Sequence, residues 1–312
     1  MMTPSALTKY FIVVLAAVGF VPALMAGPEQ LPDRSKESKN VEMVQPPPVC
    51  DPRWYISIGG GGDFNIGDTH INDAVRRDFN VQFFGFPFPV GSADIKSHNF
   101  DDVYDDGYHI QGEIGYALTQ HLELFGSFRY AHADAANRTT GSSISVDFPG
   151  VFTGVFPIES EFEDYDSWGG ELGFRYYFLS RQAHWRPYLA VSGGASHVDG
   201  IGITTFADLT DVGGGDDVQV FKGSFLEENW VATAAAVVGL EFNVTCHWTL
   251  GVNGGVRYAS RLDDDDSDLN RDGFSIANGF ATVRSFRFAN ESNNNSGDRW
   301  TVPVTGYLKF RF

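Results

Sequence analysis

Positive charge is scarce in this chain, and so are cysteine, methionine and long apolar runs. Twenty-two lysines and arginines stand against 40 aspartates and glutamates, a formal net charge of −18. A phosphate backbone needs a basic face, so nucleic acid is excluded as a partner. A mean hydropathy of −0.17 excludes a bundle of membrane helices. It does not exclude a membrane barrel, whose strands are apolar on one side only. The two cysteines, Cys50 and Cys246, allow at most one disulfide within the chain. What is abundant is 14% aromatic residues, with 27 Phe against 4 Met, and 35 Gly. That is a composition of strand formers and turn formers.

The one apolar run is "YFIVVLAAVGFVPALMA", residues 10–26, with Lys9 before it and "GPEQ" after it. A charged residue, an apolar core and small residues near Ala26 describe a secretory signal peptide over residues 1–26. A membrane anchor is the competing reading, but the run contains Pro22 and is short for a span. Residues 27–52 are polar, proline-bearing and aperiodic, which predicts a periplasmic linker. No small-residue lipid-attachment site adjoins Cys50.

From Arg53 onward, eight segments of about ten residues alternate apolar with polar side chains, the period of a strand with one greasy and one wet face. In "WYISIGGGGDF", Trp54, Ile56 and Ile58 share a face; in "SWGGELGFRYYFL", Trp168, Leu172, Phe174, Tyr176 and Phe178 oppose Glu171 and Arg175. Tight turns such as "TQ" and "TCH" join some pairs, while residues 65–107, 134–165, 199–228 and 260–298 form long connections. Loops so unequal are foreign to a compact soluble domain. Short turns on one side, long loops on the other and an even strand count are the plan of an outer-membrane barrel. Aromatics fall near segment ends on the apolar face, where a membrane interface favours them. A soluble β-sandwich would bury them mid-strand. The expected fold is all-β: a transmembrane antiparallel up-and-down β-barrel of eight strands over residues 53–312.

The chain ends on "VTGYLKFRF", whose apolar list runs Val304, Gly306, Leu308, Phe310, Phe312. This ending resembles the C-terminal signature of bacterial outer-membrane β-barrels. Residues 53–312 resemble the OmpA-type, opacity-like group of eight-stranded barrels, "WYISIGGG" resembling their first strand and "RPYLAVSGG" their fifth. The resemblance implies residence in the bacterial outer membrane as a monomer, among bilayer lipid and lipopolysaccharide. It also implies that Phe312 is an assembly signal read by the barrel-assembly machinery. It carries no catalytic or ligand motif.

The inward lists hold Glu113, Glu123, Arg129, Glu171, Arg175, Glu241, Arg257, Lys309 and Arg311. Folding the loop between the third and fourth strands places Arg129 near Glu171 and Glu123 near Arg175. Eight-stranded barrels are just wide enough for side chains to fill, so a polar plug of paired charges is expected. A narrow, porin-like solute channel in which ion pairs exchange partners is the alternative.

The four long connections carry 29 acidic residues against nine Lys or Arg. Cations, lipopolysaccharide or an extracellular macromolecule are therefore the expected partners. Within "DDDDSDLNRDG", Asp268, Asn270, Asp272 and Gly273 match the first half of a Ca²⁺-binding loop, with Gly279 where a bidentate acid belongs. A solvated acidic loop is the plainer reading of the same residues. Cys50 and Cys246 would both face an oxidising periplasm, and a disulfide between them stays open because the first and seventh strands are not adjacent. His109, His132 and His197 lie beside acids, but no motif selects a base among them, and no enzyme is expected. A rim-located hydrolase is the least favoured alternative.

Overall fold

The computed structural model describes residues 52–66, 70–71, 75–83, 86–136, 138–148, 152–208, 210, 218–262, 274–275, 282–283 and 296–312. The residues expected to form a signal peptide, nearly all of those expected to form a linker, Cys50, and Asp268, Asn270 and Asp272 lie outside these residues. Every element below belongs to the unit Arg53–Phe312.

In chain order, β1 (Trp54–Ile66) leads into a hairpin of β2 (Val75–Phe83) and β3 (Phe86–Ile95), then a helical turn α1 (Phe100–Val103). Strands β4 (Gly107–Ala117) and β5 (Leu122–Ala133) precede the hairpin β6 (Thr139–Phe148) and β7 (Phe152–Phe162). Strands β8 (Tyr165–Tyr177) and β9 (Trp185–Val198) precede the hairpin β10 (Ile201–Ala207) and β11 (Val218–Leu226). Strands β12 (Asn229–Asn243) and β13 (Trp248–Ala259) precede the short β14 (Phe274–Ser275) and β15 (Thr282–Val283), and β16 (Arg299–Arg311) ends the fold.

Eight of these strands close a barrel in the order β1-β16-β13-β12-β9-β8-β5-β4. Each pairs antiparallel with its neighbours, and the seam runs from Tyr55↔Arg311 to Ile66↔Trp300. Alternation decides which side chains meet water. Ile58 and Leu172 are 64% and 72% exposed on the outer surface, while Glu241 and Lys309 are 0% exposed inside. The hydrophobic pattern is thus inverted relative to a soluble fold, which only an apolar solvent around the barrel makes favourable.

Aromatics ring both ends. At the end of the short turns Trp54 packs on Tyr116 at 4.9 Å between ring centroids, Trp185 on Phe242 at 4.7 Å and Trp248 on Phe310 at 4.8 Å. At the loop end Trp168 meets Trp230 at 5.3 Å and Tyr258 meets Trp300 at 5.2 Å. From Trp168 to Phe178, ten residues at about 3.3 Å each, tilted by about 40°, rise about 25 Å, the height of a lipid-facing band.

Two of the turns share a device. In Thr119-Gln120-His121, the Thr119 hydroxyl accepts the amides of His121 and Leu122 at 3.2 and 3.0 Å. Thr245-Cys246-His247 repeats it, with the Thr245 hydroxyl accepting the amides of His247 and Trp248. Nδ1 of each histidine lies against the carbonyl of an adjacent strand end, Tyr177 at 2.9 Å and Arg311 at 2.7 Å. A carbonyl only accepts, so both rings carry their proton on Nδ1.

The long connections hold hairpins rather than further spanning pairs. Their strands form a second sheet, β11-β10-β7-β6-β3-β2-β15-β14, separate from the barrel. Pro87 and Pro89 sit in β3, a loop strand rather than a spanning one, where a missing amide is tolerated.

Candidate functional site

Alternation sends a set of polar side chains into the lumen, where they sort into two layers. The layer nearer the turns centres on Glu241, which is fully buried. It accepts from Arg311 at 2.9 Å, Arg186 at 3.3 Å and Tyr307 at 3.0 Å, and also from Lys309. Lys309 reaches Glu123 at 3.2 Å and the Tyr177 hydroxyl at 3.0 Å. Arg175 makes a two-pronged pair with Glu113, both contacts at 2.9 Å, and Tyr55 donates to the same carboxylate at 2.6 Å. Four cations therefore share three carboxylates. Rings supply the remaining negative face: the Arg186 guanidinium lies 3.5 Å over Tyr177, and Arg175 lies 4.9 Å from both Phe125 and Tyr188.

The layer nearer the loops contains two pairs, Arg129 with Asp63 and Arg257 with Glu171 at 2.6 Å. Ser192 and Thr233 donate to Glu171 at 2.7 and 2.8 Å. His109 lies 3.3 Å from Asp63 and 2.9 Å from the Thr305 hydroxyl. Above this layer a cavity of about 40 Å³ is walled by Asp63, Arg129, Arg257, Tyr165 and Thr301 among others.

Apolar side chains gather at the loop end, and Phe100, Tyr104, Tyr165, Val231 and Ala259 among them also line the cavity. Phe100, Val103 and Tyr104, from α1 and its C-terminal neighbour, pack with Ile71, Phe162, Tyr165, Val198, Ile201, Leu226, Val231 and Leu262 as an apolar cluster at the loop end. Asn99 starts the helical turn, its amide donating to Asp102 at 3.0 Å. The buried Tyr104 hydroxyl donates to the Glu163 carbonyl at 3.1 Å, and burial pushes it well above the ordinary phenol range, so it stays neutral.

All nine charged residues expected in the lumen are there, each buried. Both expected neighbours are close, but only one pair is in direct register. Glu123 and Arg175 are direct cross-strand partners, with the guanidinium 3.6 Å from the carboxylate. Arg129, in contrast, lies opposite Gly169, and Glu171 lies opposite Ser127. Their shortest partners come from across the lumen, because long side chains in so narrow a barrel reach strands that are not neighbours. Adjacency in one hairpin could not show this. Asp63, Arg186 and the tyrosines Tyr55, Tyr177, Tyr188 and Tyr307 were missed, although each sits at inward parity in its strand. His109 is a lumen residue, 1% exposed, and not a rim residue. His132 and His197 do lie at the loop-end rim, beside Asp166 at 2.9 Å and Asp199 at 3.4 Å. Cys246 is disulfide-bonded.

A closed antiparallel barrel that is apolar outside, ion-paired inside and ringed by aromatics at both ends is an integral outer-membrane β-barrel. Among the described residues no helix is long and apolar enough to cross a membrane. No family model matches the chain, and no curated relative does. Among solved structures, it is similar to Neisserial surface protein A at 12% identity, covering 83% of this chain and 97% of that one, with a TM-score of 0.36. It is also similar to Ail, the attachment invasion locus protein of Yersinia pestis, at 14% identity over 83% and 99%, TM-score 0.32. The outer membrane protease OmpT from Escherichia coli aligns at 11% identity over 83% and 97%, TM-score 0.32.

Proposed function

We propose that the barrel is a structural support that presents its acidic outer loops to a partner at the cell surface, and that it does not conduct solute. The observation that carries this reading has two levels. A buried ion-pair network fills the lumen, and an apolar cluster stands at its loop end. With 29 acidic residues against nine basic ones, the loops suit cations, a basic macromolecular surface, or lipopolysaccharide held through bridging cations.

Single-channel recording of the purified protein in planar bilayers tests the closed lumen. The expected trace is flat in the wild type. Reproducible open states that vanish with Glu171→Ala would establish a narrow channel instead. Asp268, Asn270 and Asp272 are proposed to bind Ca²⁺ within the acidic run. Calcium should then raise thermal stability, and alanine at Asp268 and Asp272 should remove the gain.

A further inference from the structure

At the loop-end rim, β5 and β8 place four ionisable groups opposite one another on the outer face of the barrel. Their register pairs His132 with Asp166 and Ala133 with Tyr165, so one step further sets Asp134 against Asp164. Like charges directly opposite in a ladder repel. Among the described residues, no lysine or arginine forms an ion pair with Asp134, Asp164 or Asp166 to offset this.

The imidazole stands between two carboxylates, one at each ring nitrogen. His132 Nδ1 lies 2.9 Å from Asp166, and its Nε2 lies 3.2 Å from Asp134. Both neighbours are carboxylates, which only accept, while a neutral imidazole has one N–H. Asp166 is further held in place by the Tyr130 hydroxyl, which donates to the same oxygen that faces His132. With the Nδ1 proton directed at Asp166, the Nε2 lone pair points to where Asp134 and Asp164 converge. One ligand atom from each of His132, Asp134 and Asp164 lies within 4.8 Å of the other two. Asp164 Oδ1 accepts the Ala135 amide at 2.8 Å, which anchors the carboxylate.

We infer that His132, Asp134 and Asp164 form a binding site for a divalent transition metal ion of the Zn²⁺ class on the outer rim of the barrel. One imidazole and two carboxylates fit Zn²⁺, which takes nitrogen and oxygen ligands at about 2.0–2.2 Å, so the three ligands must close by about an ångström to share one ion. The ion takes the place that a proton on Nε2 would otherwise fill, and its charge offsets the opposed pair Asp134 and Asp164. Asp166 is a positioning residue: a carboxylate on the far nitrogen of a metal-bound histidine sets tautomer and ring orientation. Because Asp134 and Asp164 are exposed, the remaining coordination positions face the outer surface and water.

Calorimetric titration of Zn²⁺ into the full chain, refolded in detergent micelles, tests the site, with far-UV circular dichroism confirming the fold of each variant. One saturable site is expected at neutral pH, weakening as pH falls through the imidazole range because protons compete for Nε2. His132→Gln and Asp164→Asn should each abolish saturation. Asp166→Asn should weaken binding by about 10–100-fold, with Asp166→Glu restoring much of it. Asp199→Asn, beside His197, should change nothing. No saturable binding at millimolar Zn²⁺ would overturn the assignment. So would Zn²⁺ binding that survives both His132→Gln and Asp164→Asn, or that Ca²⁺ matches in strength, since the acidic loops alone would then account for it.

Discussion

Three lumen tyrosines each lie over a glycine on the adjacent strand. Tyr55 faces Gly115, Tyr188 faces Gly239 and Tyr307 faces Gly251 in direct cross-strand register. A β-carbon at any of these glycines would stand 2.2–2.3 Å from the tyrosine ring. Large and small residues thus alternate around the wall; the Tyr55 and Tyr307 hydroxyls are carried to Glu113 and Glu241, and the Tyr188 hydroxyl accepts from Asn253 at 3.1 Å. Gly306 is different: nothing lies within 4 Å of where its β-carbon would be. Gly239→Ala should therefore lower the urea midpoint of unfolding, at a cost of about 1–3 kcal/mol typical of overpacking, while Gly306→Ala should leave it nearly unchanged. Equal midpoints would show that the ring simply moves aside. At this scale the sequence was half legible. Parity tells that Tyr188 and Glu241 point inward, but partner choice depends on reach across a lumen whose width one strand does not reveal. Arg129 illustrates this, since its partner Asp63 lies 66 residues away on another strand.

Elements were the most legible part, because the membrane enforces strict alternation over every spanning strand. Trp168, Leu172, Phe174, Tyr176 and Phe178 all face outward as their spacing requires. The turns were legible as short, but not in their chemistry: the shared Thr-x-His pattern became meaningful only when both histidines were found holding a neighbouring strand. The loop hairpins were harder, since β2, β3, β6, β7, β10 and β11 pair with one another across different loops. The last strand carries its own test. Phe312 exchanges two backbone hydrogen bonds with Trp54, at 2.9 and 3.3 Å, and its ring stacks 6.3 Å from Phe310. Each bond contributes about 0.5–1.5 kcal/mol, and the end of the seam depends on both. Deleting Phe312 should reduce the heat-modifiable folded band in outer-membrane fractions. A full-strength band would remove Phe312 from any role in assembly.

For the whole molecule, the separation of the two sheets predicts independence. The barrel ladder contains no residue of β6 or β7, whose partners are β3 and β10. Replacing residues 140–159 with a short glycine-serine link should leave the barrel folded, with the same heat-modifiable shift on gels. Loss of that shift would mean that the outer sheet holds the barrel together. Where the molecule resides was legible from alternation and terminal aromatics. Its task was less so, because the barrel wall repeats the same instruction eight times, whereas recognition depends on loop surfaces shaped by contacts between distant segments.

The seam between β1 and β16 also orders events in time. Trp54 emerges among the first residues of the barrel and Phe312 last, yet they bond to each other. Strands β1 and β13 must wait, half-paired, for the thirteen residues of β16 to arrive. A chain stalled one hairpin short keeps two bare edges, which hydrocarbon penalises at every unpaired amide and carbonyl. Closure of the barrel is therefore a single late event that only β16 can complete.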